Sequence, residues 1–420
     1  MLKKIKKEEV KKMPESIFKQ SRKNTFIFEG HAVITDNSFV INNTNTNGTW
    51  VYNSLNFGVD CGEHGINYVT MMGGYNPSGG SYISIQKLGE DGKPLPYENN
   101  IQVDWEDRLD FDVETEGINK AAFIDISVEK DANGKLIQKT FLSAYDAVEY
   151  LKTIIVDKFP VVVRGHIDYR LNGSGDWVAS HVVDNISTKS EEFLQPKTAL
   201  NLMVLVDKNT LGKPNIEEKN VPLYLNTAYY INKMNNNVYK QTCAVPLKIL
   251  FDMNTIDLNN KEDKKRFSYG VEHYFSPSKE GFVNEVLFRC HYSGGVKKTE
   301  IKLEDLPSEI REGVESGFIN KDQVLGTMAV QGPISKDIIF DQVMTRSKTV
   351  KTDEGAEYII PEVIIEKEKY KDSEIVLFED LEPVDSKNNT APVDNNPVIE
   401  DEEIDKSAAD IMALFSAMGN

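Results

Sequence analysis

The sequence predicts a mainly β (α+β) fold with two tandem barrels, one helix embedded in each, and a disordered acidic tail. The first observation is Lys139–Leu171, where a strand end leads into a helical pattern that Ser143 can cap. Pro160 stops the helix, and a strand of high β-propensity follows and runs through a glycine. The second observation is a weaker copy of this order, with a predicted helix at Leu303–Ile319 and a glycine-containing strand at Val324–Ile334.

The order of elements indicates the type of barrel. One more strand follows each glycine-containing strand, Trp177–Ile186 in the first copy and Ile338–Met344 in the second. A helix late in a run of strands, followed by a final hairpin, is typical of an OB-like barrel. The sequence therefore predicts OB-like domains at residues 24–189 and 198–347, and the polar residues 89–119 form an insertion in the first.

The other predicted strands alternate apolar and polar residues between clusters of Asn, Gly, Pro or Asp. In the first domain they are Phe26–Thr35, Phe39–Asn42, Trp50–Asp60, Ile66–Met72, Tyr82–Leu88, Ala121–Val128 and Leu136–Leu142. In the second they are Ala199–Val206, Val221–Ile231, Val238–Phe251 and Phe282–His291. Both domains are therefore predicted to be antiparallel sheets with short connections.

The two ends of the chain differ in charge from its body. Residues 1–23 hold nine Lys or Arg and three Glu, and form a basic arm that is either a solvated tail or a source of phosphate or protein contacts. Residues 352–420 hold nineteen Asp or Glu and five Lys. Within them, residues 352–403 are predicted to be an acidic disordered linker, and residues 404–420 a short amphipathic helix. Such a helix is not stable alone, so its apolar face is predicted to bind a partner: Ile411, Met412, Leu414, Phe415 and Met418.

Composition limits the class of protein and its location. The net charge of −18 argues against a surface coated in nucleic-acid-binding charge, but it leaves room for one basic groove. Three scattered cysteines are too few for a disulfide framework, which favours a reducing cytoplasm. No apolar run reaches membrane-spanning length, so we expect no membrane partner. The abundance of Lys, Asn and Ile fits an AT-rich bacterial host or its phage.

Catalytic and metal-binding motifs are weak. The sequence has no P-loop, no zinc-protease helix, no nucleophile elbow and no Cys-X-X-Cys pair. Cys61 and His64 have metal-like spacing, and Cys290 and His291 could complete a zinc site across the domains, but each pair lacks a second local pair. We therefore predict no enzyme, no metal and no cofactor.

Strand alternation separates a possible binding face from the core. Trp50 and Tyr52 are predicted to point outward from one strand, and Arg164, His166 and Arg170 from another. Aromatic rings beside cations suit single-stranded nucleic acid, because bases stack on the rings and the cations follow the phosphates. The predicted nucleic-acid-binding set is completed by Trp177, Tyr230 and Lys240. The alternative is that the exposed aromatic residues cover the barrel or form a domain interface.

The end of the chain adds a resemblance. OB-like domains followed by a Pro/Asn-rich linker, the acidic run Glu400–Glu403 and an apolar end resemble, in organisation, the single-stranded DNA-binding proteins of bacteria and phages. The resemblance implies an acidic tail that competes with DNA for the groove and recruits replication or repair enzymes. That family ends on an aromatic residue directly after the acids, whereas this chain ends in Met418-Gly419-Asn420, which favours a helix-in-groove contact.

The sequence thus favours a non-catalytic single-stranded DNA-binding protein of phage or mobile-element replication or recombination. Its expected partners are single-stranded DNA, and replication or recombination proteins bound through the tail. The main alternative is a phage structural or assembly protein built of β-domains, which the acidic body favours. The choice between DNA and RNA stays open at this point.

Overall fold

The computed structural model describes residues 17–120, 123–234, 237–256, 260–294, 308–316, 336–351 and 357–383. The first half contains β1 (Thr25–Val33), β2 (Phe39–Thr44), β3 (Val51–Asp60), β4 (Ile66–Tyr75), β5 (Tyr82–Ile85), β6 (Ile101–Asp104), β7 (Ile124–Lys130), β8 (Leu136–Phe141), α1 (Ala144–Lys152), β9 (Pro160–Leu171) and β10 (Trp177–Ser187). The second half contains β11 (Lys197–Val206), β12 (Asn220–Met234), β13 (Asn237–Asp252), α2 (Lys261–Tyr274), β14 (Phe282–Tyr292), α3 (Ser308–Glu315), β15 (Ile338–Val343), β16 (Thr345–Lys351), β17 (Glu357–Val363) and β18 (Ile365–Lys371). The fold is mainly β with few helices, as predicted.

Five strands close the first barrel. β1 pairs antiparallel with β3 and β9, β3 pairs with β4, and β9 pairs with β10. The ring is completed where β10 meets β4 in parallel, at Val182 and Thr70. A five-stranded Greek-key ring with a helix before its fourth strand is the OB architecture. The predicted cap of that helix is confirmed, because the Ser143 hydroxyl accepts a hydrogen bond from the Tyr145 N–H.

The second barrel repeats this connectivity. β11 pairs with β12 and β14, β12 with β13, and β14 with β15, all antiparallel. β13 and β15 close the ring in parallel, with Ile249 opposite Ile338. One helix, α2, precedes the fourth strand, β14, as α1 precedes β9 in the first barrel. The chain therefore contains two OB-like barrels in tandem.

The embedded helix of the second barrel is not the one that the sequence predicted. The predicted helix Leu303–Ile319 corresponds only to α3, which follows the fourth strand, and the predicted strand Val324–Ile334 lies outside the described residues. The barrel helix is α2, in which only Phe267 and Val271 are buried. Because most of its residues are charged or polar, its amphipathic pattern is weak.

The two barrels share one sheet. Beyond its pairing with β3 and β9, β1 also pairs with β11, with Thr25 opposite Asn201. Next to this junction the buried Asn24 side chain donates to the Tyr169 hydroxyl (2.8 Å) and to Thr227 Oγ1 (3.1 Å). Its own oxygen accepts from the Met203 N–H at 2.8 Å. Backbone pairing and a fully used amide therefore fix the barrels against each other.

The segments next to the barrels are more ordered than predicted. The acidic linker was predicted to start at residue 352, but β18 pairs with β14 and the buried Tyr370 packs edge-on against Phe18 at 5.3 Å. The Ala244 N–H then donates to the Val376 carbonyl (2.7 Å), and Leu381 is buried. Residues 365–383 thus belong to the body of the second barrel, because a few spaced apolar side chains suffice to anchor them despite an acidic average.

Several predicted features fall outside the described residues. They are most of the basic arm (residues 1–16), the end of the chain from residue 384, and with it the apolar face of Ile411, Met412, Leu414, Phe415 and Met418. Among the described residues, no helix is both long and apolar enough to cross a membrane.

Candidate nucleic-acid interface

The outer face of β3 and β4 forms one side of the candidate site. Buried and accessible residues alternate along both strands, which leaves Tyr52, Ser54 and Asn56 of β3 on the outside. In the antiparallel register, Asn56 lies opposite Thr70 and Ser54 opposite Met72. These outward-facing pairs form a continuous surface along β3 and β4, which we call the β3–β4 strip.

A groove between the barrels opens at one end of this strip. Its volume is about 820 Å³. Its walls come from β3, β4, the end of β9, β10, β13, the end of β14, the start of β15 and the chain just before it: Asn56, Tyr68, Val69, Thr70, Tyr169, Arg170, Trp177, Val178, Ala179, Ser180, His181, Pro246, Leu247, Lys248, Tyr292, Lys336 and Ile338. Both barrels therefore contribute to one concavity.

The charge of the groove differs from that of the chain. Among the described residues that line it, three are Lys or Arg (Arg170, Lys248 and Lys336) and none is Asp or Glu. The chain as a whole has 66 acidic and 48 basic residues. Within the described part of the structure, Arg170 and Lys248 have no ion-pair partner, so both cations are available to an anionic ligand. The Lys336 ammonium lies 5.8 Å from the centre of the Tyr68 ring, and Tyr68 is 60% exposed.

Aromatic side chains in the groove are held from behind. Trp177 packs edge-on against Phe378 (ring centres 5.5 Å apart), a residue of the segment that follows β18. Tyr169 is fixed through its hydroxyl by Asn24 and packs edge-on against Tyr229 at 5.3 Å. The Trp177 ring is therefore set in place before any ligand binds, which lowers the entropic cost of stacking on it, whereas the buried Tyr169 stabilises the wall of the groove.

His181 forms the floor of the groove as a neutral side chain. Burial lowers the pKa of His181 to about 4, and the nearby positive charge of Lys336 acts in the same direction. Its Nδ1 lies 3.1 Å from the Tyr68 carbonyl, so Nδ1 carries the proton and donates. Its Nε2 then accepts from the Tyr292 hydroxyl at 2.9 Å. The ring also contacts Phe28 of the first barrel, and its hydrogen bond with Tyr292 of β14 joins the two barrels.

The structure brings together only some of the predicted site residues. Arg170 and Trp177, two members of the predicted nucleic-acid-binding set, both line the groove. Trp50 and Tyr52 stack on each other at the opposite end of the β3–β4 strip, with ring centres 4.9 Å apart and planes 18° apart. Gly74 makes room there, since a Cβ at this position would lie 2.8 Å from the Trp50 indole.

The other predicted residues have different surroundings. Arg164 is exposed and lies 3.4 Å from the side chains of Asn185 and Ser187. His166 faces acid rather than open solvent, since both Asp184 carboxylate oxygens lie 2.9 Å from its Nδ1. Such a histidine is already paired and makes a poor phosphate ligand, so we leave it out of the candidate interface. The sequence did not show this contact because Asp184 is on the neighbouring strand.

Two predicted residues belong to the second barrel. Tyr230 is 47% exposed and lines a separate cleft of about 520 Å³, which also includes Arg170. Lys240 is exposed on β13 with a positive φ of 51°, and it lies outside the groove and this cleft. Lys240 is therefore not part of the candidate interface.

Sequence analysis missed Tyr68, Lys248 and Lys336. Tyr68 could have been found, because strand alternation places it outward beside Thr70 on β4. Lys248 and Lys336 had no such signal, because they reach the groove only through the packing of the second barrel against the first.

The zinc hypothesis is only partly reflected in the geometry. His64 and His291 do approach each other, with ring centres 5.2 Å apart. Cys61 and Cys290 are fully buried, and burial raises the pKa of both thiols, that of Cys61 to about 12. His64 Nδ1 lies 3.0 Å from the Tyr292 carbonyl, and His291 Nδ1 lies 2.5 Å from Asp341. In the described part of the chain, no group of three or more His, Cys, Asp or Glu could hold a metal ion.

Comparison with known proteins adds little. No family model and no curated protein matches this sequence. Among solved structures, the wild-type single-stranded DNA binding protein from Thermus aquaticus is similar at a TM-score of 0.28 and 9% identity, over 64% of this chain and 85% of that one. A deletion mutant of the same protein gives a TM-score of 0.27 and 8% identity, over 65% and 88%. The OB assignment rests on the strand pairing described above and not on these similarities.

Proposed function

We propose that this protein binds single-stranded DNA without catalysing a reaction, as part of phage or mobile-element replication or recombination. The observation that carries the proposal is the groove between the barrels, where cations and preset aromatic rings meet and no described lining residue is acidic. In a chain with a net charge of −18, a concavity with only basic charges suits a polyanion.

The groove provides both interactions that single-strand binding needs. Arg170 and Lys248 would contact phosphates, and each such contact adds about 0.7 to the slope of log affinity against log salt. Tyr68 and Trp177 would stack on bases, at about 1–3 kcal/mol for each base. Since every base has a π-face, we expect little sequence preference.

The strand would continue along the outer face of β3 and β4 to the Trp50–Tyr52 stack. Asn56, at the groove, and Tyr52, at the stack, are four residues apart on β3, which corresponds to roughly 13 Å at the rise of a β-strand. The path crosses Ser54 and Met72, neither of which is charged. The two aromatic clusters would thus hold successive parts of one single strand.

Binding is tested by fluorescence anisotropy with labelled oligo-dT at several salt concentrations. We expect the double variant Arg170→Ala/Lys248→Ala to lose on the order of 10-fold in affinity and about 1.4 in salt slope. The control Lys135→Ala/Lys213→Ala removes two exposed cations outside the groove and should bind like the wild type. No binding by the wild type, or equal losses in both double variants, would contradict the proposal.

The acidic end of the chain is proposed to modulate this binding and to recruit replication or recombination proteins through Ile411, Met412, Leu414, Phe415 and Met418. This part of the proposal is supported by the sequence pattern alone. A pull-down from host lysate with the full chain and with a Leu414→Asp/Phe415→Asp variant tests it. Replication or recombination proteins that are retained by the wild-type chain but not by the variant support recruitment. Identical sets of retained proteins contradict it.

One observation favours the alternative of a structural or assembly protein. The β16–β17 hairpin pairs with no other described strand and exposes Ile359 (71%) and Tyr358 (49%), which suits a protein contact. Mass spectrometry of purified particles distinguishes the two functions. A stoichiometric virion component without affinity for oligo-dT would replace the DNA-binding proposal.

A further inference from the structure

The cleft around Tyr230 continues the groove on the side of the second barrel. It measures about 520 Å³ and lies between the end of β9 and the end of β12. Tyr169 and Arg170 line both concavities. Arg170 therefore stands at the junction, with its guanidinium accessible from either side.

We propose that the nucleic acid path turns past Arg170 into this cleft, where Tyr230 and Lys233 bind further nucleotides of a long single strand. The inference rests on the proposed function. It predicts that the second barrel extends the binding site and that its contribution depends on the length of the strand.

The chemistry of the cleft repeats that of the groove. None of the described residues that line it is Asp or Glu, and its cations are Arg170 and Lys233. Lys233 is exposed and has no ion-pair partner within the described part of the chain. Among the described residues that line the cleft, a phosphate therefore meets positive or neutral side chains only.

The cleft is also preformed. The exposed ring of Tyr230 is carried by a backbone whose N–H donates to Gln20 Oε1 at 3.2 Å. Tyr229 forms the neighbouring wall and packs against Tyr169. Burial raises the pKa of Tyr229 to about 12, so its phenol stays protonated and can donate to Asp168, which also raises that pKa. This hydrogen bond engages the carboxylate on the same face of β9 as Arg170 and reduces its repulsion of a phosphate.

The consequence is a dependence on strand length. A short oligonucleotide can fill the groove without reaching Tyr230, whereas a longer one occupies the groove and the cleft together. Losing one stacking residue and one phosphate contact should weaken only the second case, by about 10-fold, and lower its salt slope by about 0.7.

The test compares labelled oligo-dT of about 6 and about 20 nucleotides, lengths that bracket the range of one OB barrel. The variant is Tyr230→Ala/Lys233→Ala. The matched control, Tyr224→Ala/Lys213→Ala, removes an exposed Tyr from the same strand and an exposed Lys, both outside the cleft. Circular dichroism melting of all proteins shows whether the fold is intact.

We expect the variant to bind the short oligonucleotide like the wild type and the long one about 10-fold more weakly, while the control binds both normally. Equal affinity for the long strand in variant and wild type would overturn the inference, and so would equal losses at both lengths. If the wild type binds neither length, the proposed function itself fails, and that result is distinct from a failure of the cleft.

Discussion

His181 is the residue at which the groove and the contact between the barrels coincide. Its ring is neutral at pH 7, donates to the Tyr68 carbonyl and accepts from the Tyr292 hydroxyl. Protonation would place a positive charge in a buried site walled by Phe26 and Phe28, and would force the Tyr292 hydroxyl to turn from donor to acceptor. Because folding lowers the pKa of His181 to about 4, this residue reduces the free energy of unfolding at acidic pH.

The sign of the pH effect follows from this pKa. In the unfolded chain a histidine titrates near 6.5, so between pH 6.5 and 4 the unfolded state binds a proton that the folded state does not. The His181 contribution to the free energy of unfolding is thus intact above pH 6.5, and about 3 kcal/mol is lost by pH 4.

We predict that His181→Gln weakens this pH dependence, because an amide can replace both hydrogen bonds without titrating. Urea unfolding at pH 7 and pH 5 measures it. The loss of stability between these two values should be smaller in the variant, by about 2 kcal/mol. A matched control is His273→Gln, a half-buried histidine in the last turn of α2 that lies outside the groove. The idea fails if the wild type and His181→Gln lose equal stability.

For single residues, the sequence predicts the direction of a side chain on its strand but not the residue that it contacts. Alternation placed Arg164 and Arg170 outward and Tyr169 inward, because period 2 is a local property of a strand. It could not show that Asp184 pairs with His166, or that Lys248 lines the same groove as Arg170, because these arrangements bring together residues of different strands.

At the scale of elements, the close packing of two strands explains why β9 contains a glycine, Gly165. A Cβ on Gly165 would lie 1.9 Å from the Val182 carbonyl oxygen and 2.8 Å from the Phe26 ring. The register between β9 and β10 shifts next to this site, between Val183 and Asn185. The close approach of the two backbones at this bulge needs a residue without a side chain.

We predict that Gly165→Ala lowers the free energy of unfolding by about 3 kcal/mol, because the strands must separate to admit the methyl group. The midpoint of urea unfolding measures this change. Gly173→Ala serves as the control, since a Cβ there meets nothing within 4 Å, and it should leave the midpoint unchanged. Equal midpoints for Gly165→Ala and the wild type would show that the bulge can relax.

The two embedded helices differ in how well the sequence predicts them. α1 has a Ser143 cap and buries Ala147, Val148 and Leu151 at helical spacing, so the pattern identifies it. α2 covers the second barrel with fewer apolar residues, and its charged first half is typical of a solvated loop. The duplication was therefore predicted correctly as a fold class, although its second copy was aligned to the wrong helix.

At the scale of the whole molecule, the boundary between body and tail lies later than the composition suggests. Phe378 supports Trp177 in the groove, and Leu381 is buried against the barrel core. Residues 384–420 contain eight Asp or Glu and two Lys, a net charge of −6. The described contacts with the barrels therefore continue to Leu381, and a truncation after Pro383 removes no residue that the structure describes.

We predict opposite outcomes for two truncations. A chain ending at Pro383 should keep its melting temperature and bind oligo-dT more tightly than the full chain, most clearly at low salt, because an intramolecular anion is gone. A chain ending at Lys351 loses β18 and the support of Trp177, so it should melt earlier. Anisotropy titrations and thermal melts measure both effects. Equal affinity of the full chain and the chain ending at Pro383 would show that the acidic end does not compete.

The position of β1 also determines the order in which this molecule can form. Thr25 is opposite both His166 and Asn201, so β1 is translated long before two of the strands with which it pairs. Contacts between residues so far apart in sequence make folding slow. Until β9 and β11 have been synthesised, both edges of β1 offer unpaired backbone groups to other chains. Production of soluble protein should therefore depend on the rate of translation and on chaperones that shield this strand.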